Sequence, residues 1–127
     1  MPIVPDRYRG KTVYYHVHSE LVRAAQYHGV TTYQDLAVIM ALLPTGAHMG
    51  AETGHILGEI VEDEVNAGRP MLSAVAVGVN GKPGPGFYTL ARQLGKLSDA
   101  ADEEAFWKTE RESGYKAWQR PIRRGRE

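Results

Sequence analysis

The sequence contains no cysteine. Disulfide staples, thiolate metal sites and cysteine nucleophiles are therefore excluded, and the chain suits a reducing compartment. No apolar run approaches the length of a membrane span. The opening stretch MPIVPDRYRG lacks the apolar centre of a secretory signal. Both absences predict a cytoplasmic protein that does not enter a membrane. Net charge is also missing, with 15 Lys and Arg against 15 Asp and Glu. The balance is uneven along the chain. Arg120, Arg123, Arg124 and Arg126 against Glu127 give the last eight residues a net charge of +3, which leaves −3 for residues 1–119. Between Gly46 and Gly68 there is no Lys or Arg, while Glu52, Glu59, Glu62, Asp63 and Glu64 all fall there.

What is present describes an ordinary globular chain. At 127 residues it reads as one domain that buries a core without staples. Pro2, Pro5 and Gly10 make residues 1–10 an irregular arm. Apolar positions Tyr14, Val17, Leu21 and Ala24 recur at helical spacing and predict a first helix from Lys11 to near Gly29. A second helix opens at Val30–Asp35, capped by Thr31 with Gln34 or, as an alternative, by Thr32 with Asp35. It runs through Leu36, Ala37 and Met40 and stops at Pro44-Thr45-Gly46. The third helix spans about Met49 to Asn66 and contains Gly54 and Gly58 four residues apart. Each glycine costs about 1 kcal/mol of helix propensity against alanine, which implies close approach to another element.

Leu72–Val79 alternates valine with alanine and glycine and reads as a strand that reverses at Asn80-Gly81. Pro83 and Pro85 preclude a long return strand, so the hairpin is a stiff wing. Tyr88, Leu90, Ala91 and Leu94 mark a short fourth helix closed by Gly95. The last helix, 98–120, starts acidic and ends basic, as the helix dipole prefers. Its stripe of Trp107, Arg111, Tyr115 and Trp118 docks on the body. Residues 121–127 form a basic tail.

The order of these elements resembles the winged-helix domain of the DNA alkyltransferase and alkyltransferase-like proteins. The resemblance rests on VTTYQDLA at Val30–Ala37, LGEI at Leu57–Ile60, and GRPMLSAVAV followed by a glycine-rich wing. It implies a mainly α fold with a small β wing, a winged-helix-like body over residues 11–95 plus a C-terminal helix, and a third helix that reads DNA. The family's alkyl-accepting cysteine and its histidine fall at Met71 and Leu72, and its flipping arginine falls nearest Gly54. A thioether cannot supply a thiolate, so alkyl transfer by that mechanism is excluded. A third helix carrying five acids repels phosphates, so a DNA-reading role for it is not expected.

Three functions follow from the side chains. His48, Glu52, His55, Glu59 and Glu62 lie within an arc of roughly 100° on a helix. Read as a solvated face, Glu52, His55, Glu59 and Glu62 suit a charge-complementary protein partner or self-association. Read as ligands, His48, Glu52, His55 and Glu59 have the spacing that presents zinc, iron or manganese. Arg69, Lys82 at the wing tip, Arg120, Arg123, Arg124 and Arg126 are the cations available to a nucleic acid. The leading expectation is a non-catalytic interaction or regulatory protein acting through a protein partner, without a cofactor. Nucleic-acid binding and a metal-dependent enzyme are the alternatives.

Overall fold

The computed structural model describes residues 2–120. The chain is mainly helical with a small parallel sheet. In order it forms α1 (Thr12–Gln26), β1 (Thr31–Thr32), α2 (Tyr33–Ile39), α3 (Gly46–Asn66), a 3-10 turn (Leu72–Val75), β2 (Ala76–Val77), α4 (Pro85–Gln93) and α5 (Glu103–Ala117). Thr31 pairs with Ala76 and Thr32 with Val77.

The first two helices end sooner than their apolar periodicity suggests, for one reason. After α1, His28 adopts φ +55°, its amide donates to Ala25, and the Gly29 amide donates to Ala24 at 2.8 Å. After α2, Ala41 takes φ +60°, and the Leu42 amide donates to Ala37 at 2.8 Å. Both are left-handed closures of the kind glycine usually supplies. The same closure follows α3 at Gly68 and α4 at Gly95, where the glycine was visible in the sequence. Of the two alternatives at the start of α2, the Thr32 cap forms: its hydroxyl accepts from the Asp35 amide at 3.1 Å. Two other starts differ from the reading. Pro85 opens α4 at its first turn, where the missing N–H costs nothing. Asp102, whose side chain accepts from the Ala105 amide at 3.1 Å, sets the start of α5.

The predicted strand Leu72–Val79 is corrected. Leu72–Val75 is a 3-10 turn and only Ala76–Val77 is extended. Met71 through Val77 are all buried, whereas Val79 is 93% exposed. The turn touches α1, α3 and α5 at once, so both faces of the segment face protein. The reversal at Asn80-Gly81 does form, with Gly81 at φ +77° and its amide donating to Gly78 at 3.0 Å. The chain then enters α4 instead of returning as a strand.

Two apolar clusters flank this turn. One joins Val17 and Leu21 of α1 to Leu36, Ile56, Ile60, Leu72 and Val75. The other gathers Val61, Met71, Val77, Phe87, Ala91 and Trp107. The aromatic stripe of α5 docks as expected. The Trp107 indole N–H donates to Ala74 O at 2.8 Å, and the Tyr115 hydroxyl donates to Gly29 O at 2.9 Å. Arg111 lies over the Trp107 ring at 4.7 Å.

Candidate binding cleft

The acidic stripe of α3 is not a solvated face. Glu59 and Glu62 are buried, at 0% and 4% exposure, and the arm of residues 3–9 covers them. Glu59 accepts from the amides of Arg7, Tyr8 and Arg9 at 2.9–3.1 Å. Glu62 accepts from the amides of Ile3 at 2.6 Å and Val4 at 3.0 Å. Glu52 accepts from Arg7 and from the Tyr8 hydroxyl. His55 Nε2 lies 2.8 Å from Pro5 O, and a carbonyl only accepts, so this nitrogen carries the proton. Arg9 completes the clasp through Asp6, Glu62 and Asp63.

These contacts set the electrostatics. Burial pushes the Glu62 carboxyl up, but the amides of Val4 and Ile3 and the Arg9 guanidinium outweigh it and hold the group below its ordinary value. The Tyr8 hydroxyl lowers Glu52. Burial, reinforced by Glu52, pushes Tyr8 itself up to about 12.

The expected roles of the stripe change accordingly. Glu52, His55, Glu59 and Glu62, read as partner-binding residues, are satisfied within the chain. His48 is exposed, while Glu52, His55 and Glu59, its companions in the metal reading, are engaged by the arm. Among the described residues no group of three or more His, Asp or Glu is placed to hold a metal ion.

The cations are also engaged. Arg69 forms a bidentate pair with Glu64, both bonds at 2.8 Å. Lys82 pairs with Glu104 at 2.8 Å. Arg120 is exposed, and Arg123, Arg124 and Arg126 lie outside the described residues. Met71 is fully buried and its amide donates to Glu110 at 2.9 Å.

What stays open is a cleft of about 600 Å³ between α3 and α4. Gly50, Gly54 and Gly58 repeat every four residues along its α3 side, and Gly84 and Gly86 face it from the start of α4. Met49, Leu57, Phe87 and Leu90 supply apolar wall, and Val4 of the arm supplies one side. The polar groups are Tyr33, Thr53, His55, Ser73, Thr89 and Gln93. No Asp, Glu, Lys or Arg is among the described lining residues. Tyr33 is tied in place by the Gly84 amide, which donates to its hydroxyl oxygen at 2.6 Å. Burial raises the Tyr33 hydroxyl despite that amide, so it remains a neutral donor.

The glycines differ in what surrounds them. A Cβ on Gly58 would meet the Val4 methyls at 3.4 Å and Leu90 at 3.9 Å. Around Gly50 and Gly54 no atom beyond the adjacent residues and the helix's own backbone lies within 4 Å of the Cβ position. The close approach expected of both helix glycines is therefore present at Gly58 and absent at Gly54.

No protein-family model, curated protein or solved structure matches this chain. The cleft therefore rests on its own geometry. The sequence marks Gly54 and Gly58 in the third helix and Pro83 and Pro85 in the wing, but nothing in it brings the two segments together as a cleft. The signal within the helix is Gly50, which extends the four-residue spacing to three turns of one helix face.

Proposed function

We propose that this chain is a small cytoplasmic interaction protein that takes apolar side chains of a partner protein into the α3–α4 cleft, without catalysing a reaction. The observation that carries this reading is the pair Gly50 and Gly54. Each weakens the interior of a 21-residue helix by about 1 kcal/mol against alanine. Neither is required by packing, since the Cβ positions open on empty space. Depth in the cleft is what their lack of a side chain provides.

The volume is in the range of sites that enclose a ligand group, and the lining is apolar with a few polar anchors. The uncharged wall favours an uncharged ligand, because a charged group entering it loses water without gaining a counter-ion. A protein is favoured over a small metabolite by the apolar surface nearby. Val79 is 93% exposed and follows Gly78, whose Cβ position is 3.7 Å from the Tyr33 ring that lines the cleft. No helix among the described residues is long and apolar enough to cross a membrane.

The test is co-purification from the native host with wild-type protein and Gly54→Leu, which places a side chain in the cleft from a position whose Cβ has open space. A partner held by the wild type and lost from the variant supports the reading. Equal recovery by both, with Gly54→Leu folded, contradicts it.

One observation favours nucleic-acid binding as a second reading. Of the acids of α3 that argued against a phosphate-lined groove, Glu52, Glu59, Glu62 and Asp63 are engaged by the arm and Glu64 by Arg69, so they repel less than a bare acidic helix. Against it, Arg69 and Lys82 are already paired with carboxylates. A salt-dependent shift of duplex DNA that weakens in Lys82→Glu would establish this reading; no shift at low salt removes it.

A further inference from the structure

The arm and the cleft share residues. Val4 lines the cleft and rests its methyls against Gly58, while its amide donates to Glu62 at 3.0 Å. His55 lines the same cleft and holds the arm through Pro5 O at 2.8 Å. Between residues 3 and 9 the arm has no helix or strand of its own. Its docking relies on side chains of α3, chiefly Glu52, Glu59 and Glu62. Gly10, at φ +80°, joins it to α1 through a backbone turn that imposes no side-chain strain.

We propose that residues 2–9 form a detachable wall of the cleft, so that docking of the arm and filling of the cleft strengthen one another. The proposal rests on the cleft being the binding site. With the arm released, Val4 leaves the wall, Gly58 is uncovered and His55 loses the carbonyl that fixes its ring. A ligand group in the cleft then contacts one face fewer. With the group bound, Val4 gains apolar contact that it has only while docked. Coupling of this kind is reciprocal: the factor by which docking tightens the ligand is the factor by which the ligand tightens docking. The arm thereby sets the affinity of the site, and whatever competes for the buried glutamates opens it.

The experiment uses the full chain, with indole as an apolar probe, followed by amide signals in NMR. In the wild type, indole shifts the Gly50 and Gly54 amides and slows exchange of the Val4 and Tyr8 amides. In Val4→Ala the amide bonds to Glu62 remain, and indole binding weakens by about threefold to tenfold through lost apolar contact. In Glu62→Ala the Ile3 and Val4 amides exchange faster and indole binds more weakly. Indole binding of wild-type strength in both variants, or arm exchange unaffected by saturating indole, overturns the coupling while leaving the cleft as a site. Absence of any indole-induced shift at Gly50 and Gly54 in the wild type removes the cleft reading and this inference with it.

Discussion

Replacing Gly54 by alanine should stabilise the protein. Gly54 lies within α3, well inside a helix of 21 residues. Alanine there gains about 1 kcal/mol of helix propensity, partly through a smaller loss of chain entropy on folding. The opposing term is steric, and it is absent because no atom beyond the adjacent residues and the helix's own backbone lies within 4 Å of the new Cβ. For a domain of this size that gain corresponds to a rise of about 3–6 °C in Tm. Gly58→Ala is the internal control. Its methyl meets the two Val4 methyls at 3.4 Å, so arm displacement offsets the propensity gain and the net change is about zero. Urea and thermal unfolding of both variants measure the difference. The reasoning is refuted if Gly54→Ala destabilises the protein, or if the two variants change stability by the same amount.

Three further outcomes are expected. Ala41→Gly, which relieves the left-handed φ of +60° closing α2, should raise stability by up to about 1 kcal/mol, measured by urea unfolding. Trp107→Phe removes the donor to Ala74 O in the second apolar cluster and should cost about 1–3 kcal/mol, since it leaves a buried carbonyl unpaired. Acid should loosen the arm. Glu52 and Glu62, facing Arg7, Tyr8, Arg9 and His55, titrate below the ordinary glutamate value of 4.5 in the folded chain. Their contribution is therefore complete above 4.5 and is lost as the pH falls through the depressed values. Exchange protection of the Ile3 and Val4 amides should fade before global unfolding, and protection that persists until the whole chain unfolds would contradict this.

The helical character of the chain was legible because apolar spacing is local information. The Thr32 cap was present among two stated alternatives, and Gly68 and Gly95 marked real helix ends. The ends of α1 and α2 were not legible, since His28 and Ala41 take a conformation their side chains do not advertise. Leu72–Val79 misled for a different reason. An alternation of valine with alanine is apolar at every position, so it does not distinguish a half-buried strand from a turn packed on both faces. The acidic stripe was legible as a stripe, but its partner was not. Its partner is mainly the backbone amides of residues 3–9, and an amide donor carries no mark in a sequence. The cleft needed both helices in place before Gly50 and Gly54 could be seen to face Gly84 and Gly86 across open space.

The claim that the cleft is the working surface is tested most directly by calorimetric titration of an apolar peptide recovered from the co-purified partner. It should be run against wild-type protein and Gly54→Leu at matched stability. Saturable one-to-one binding to the wild type, lost in the variant, is the predicted result. Binding that survives the filled cleft unchanged would place the interaction elsewhere on the molecule and contradict the account.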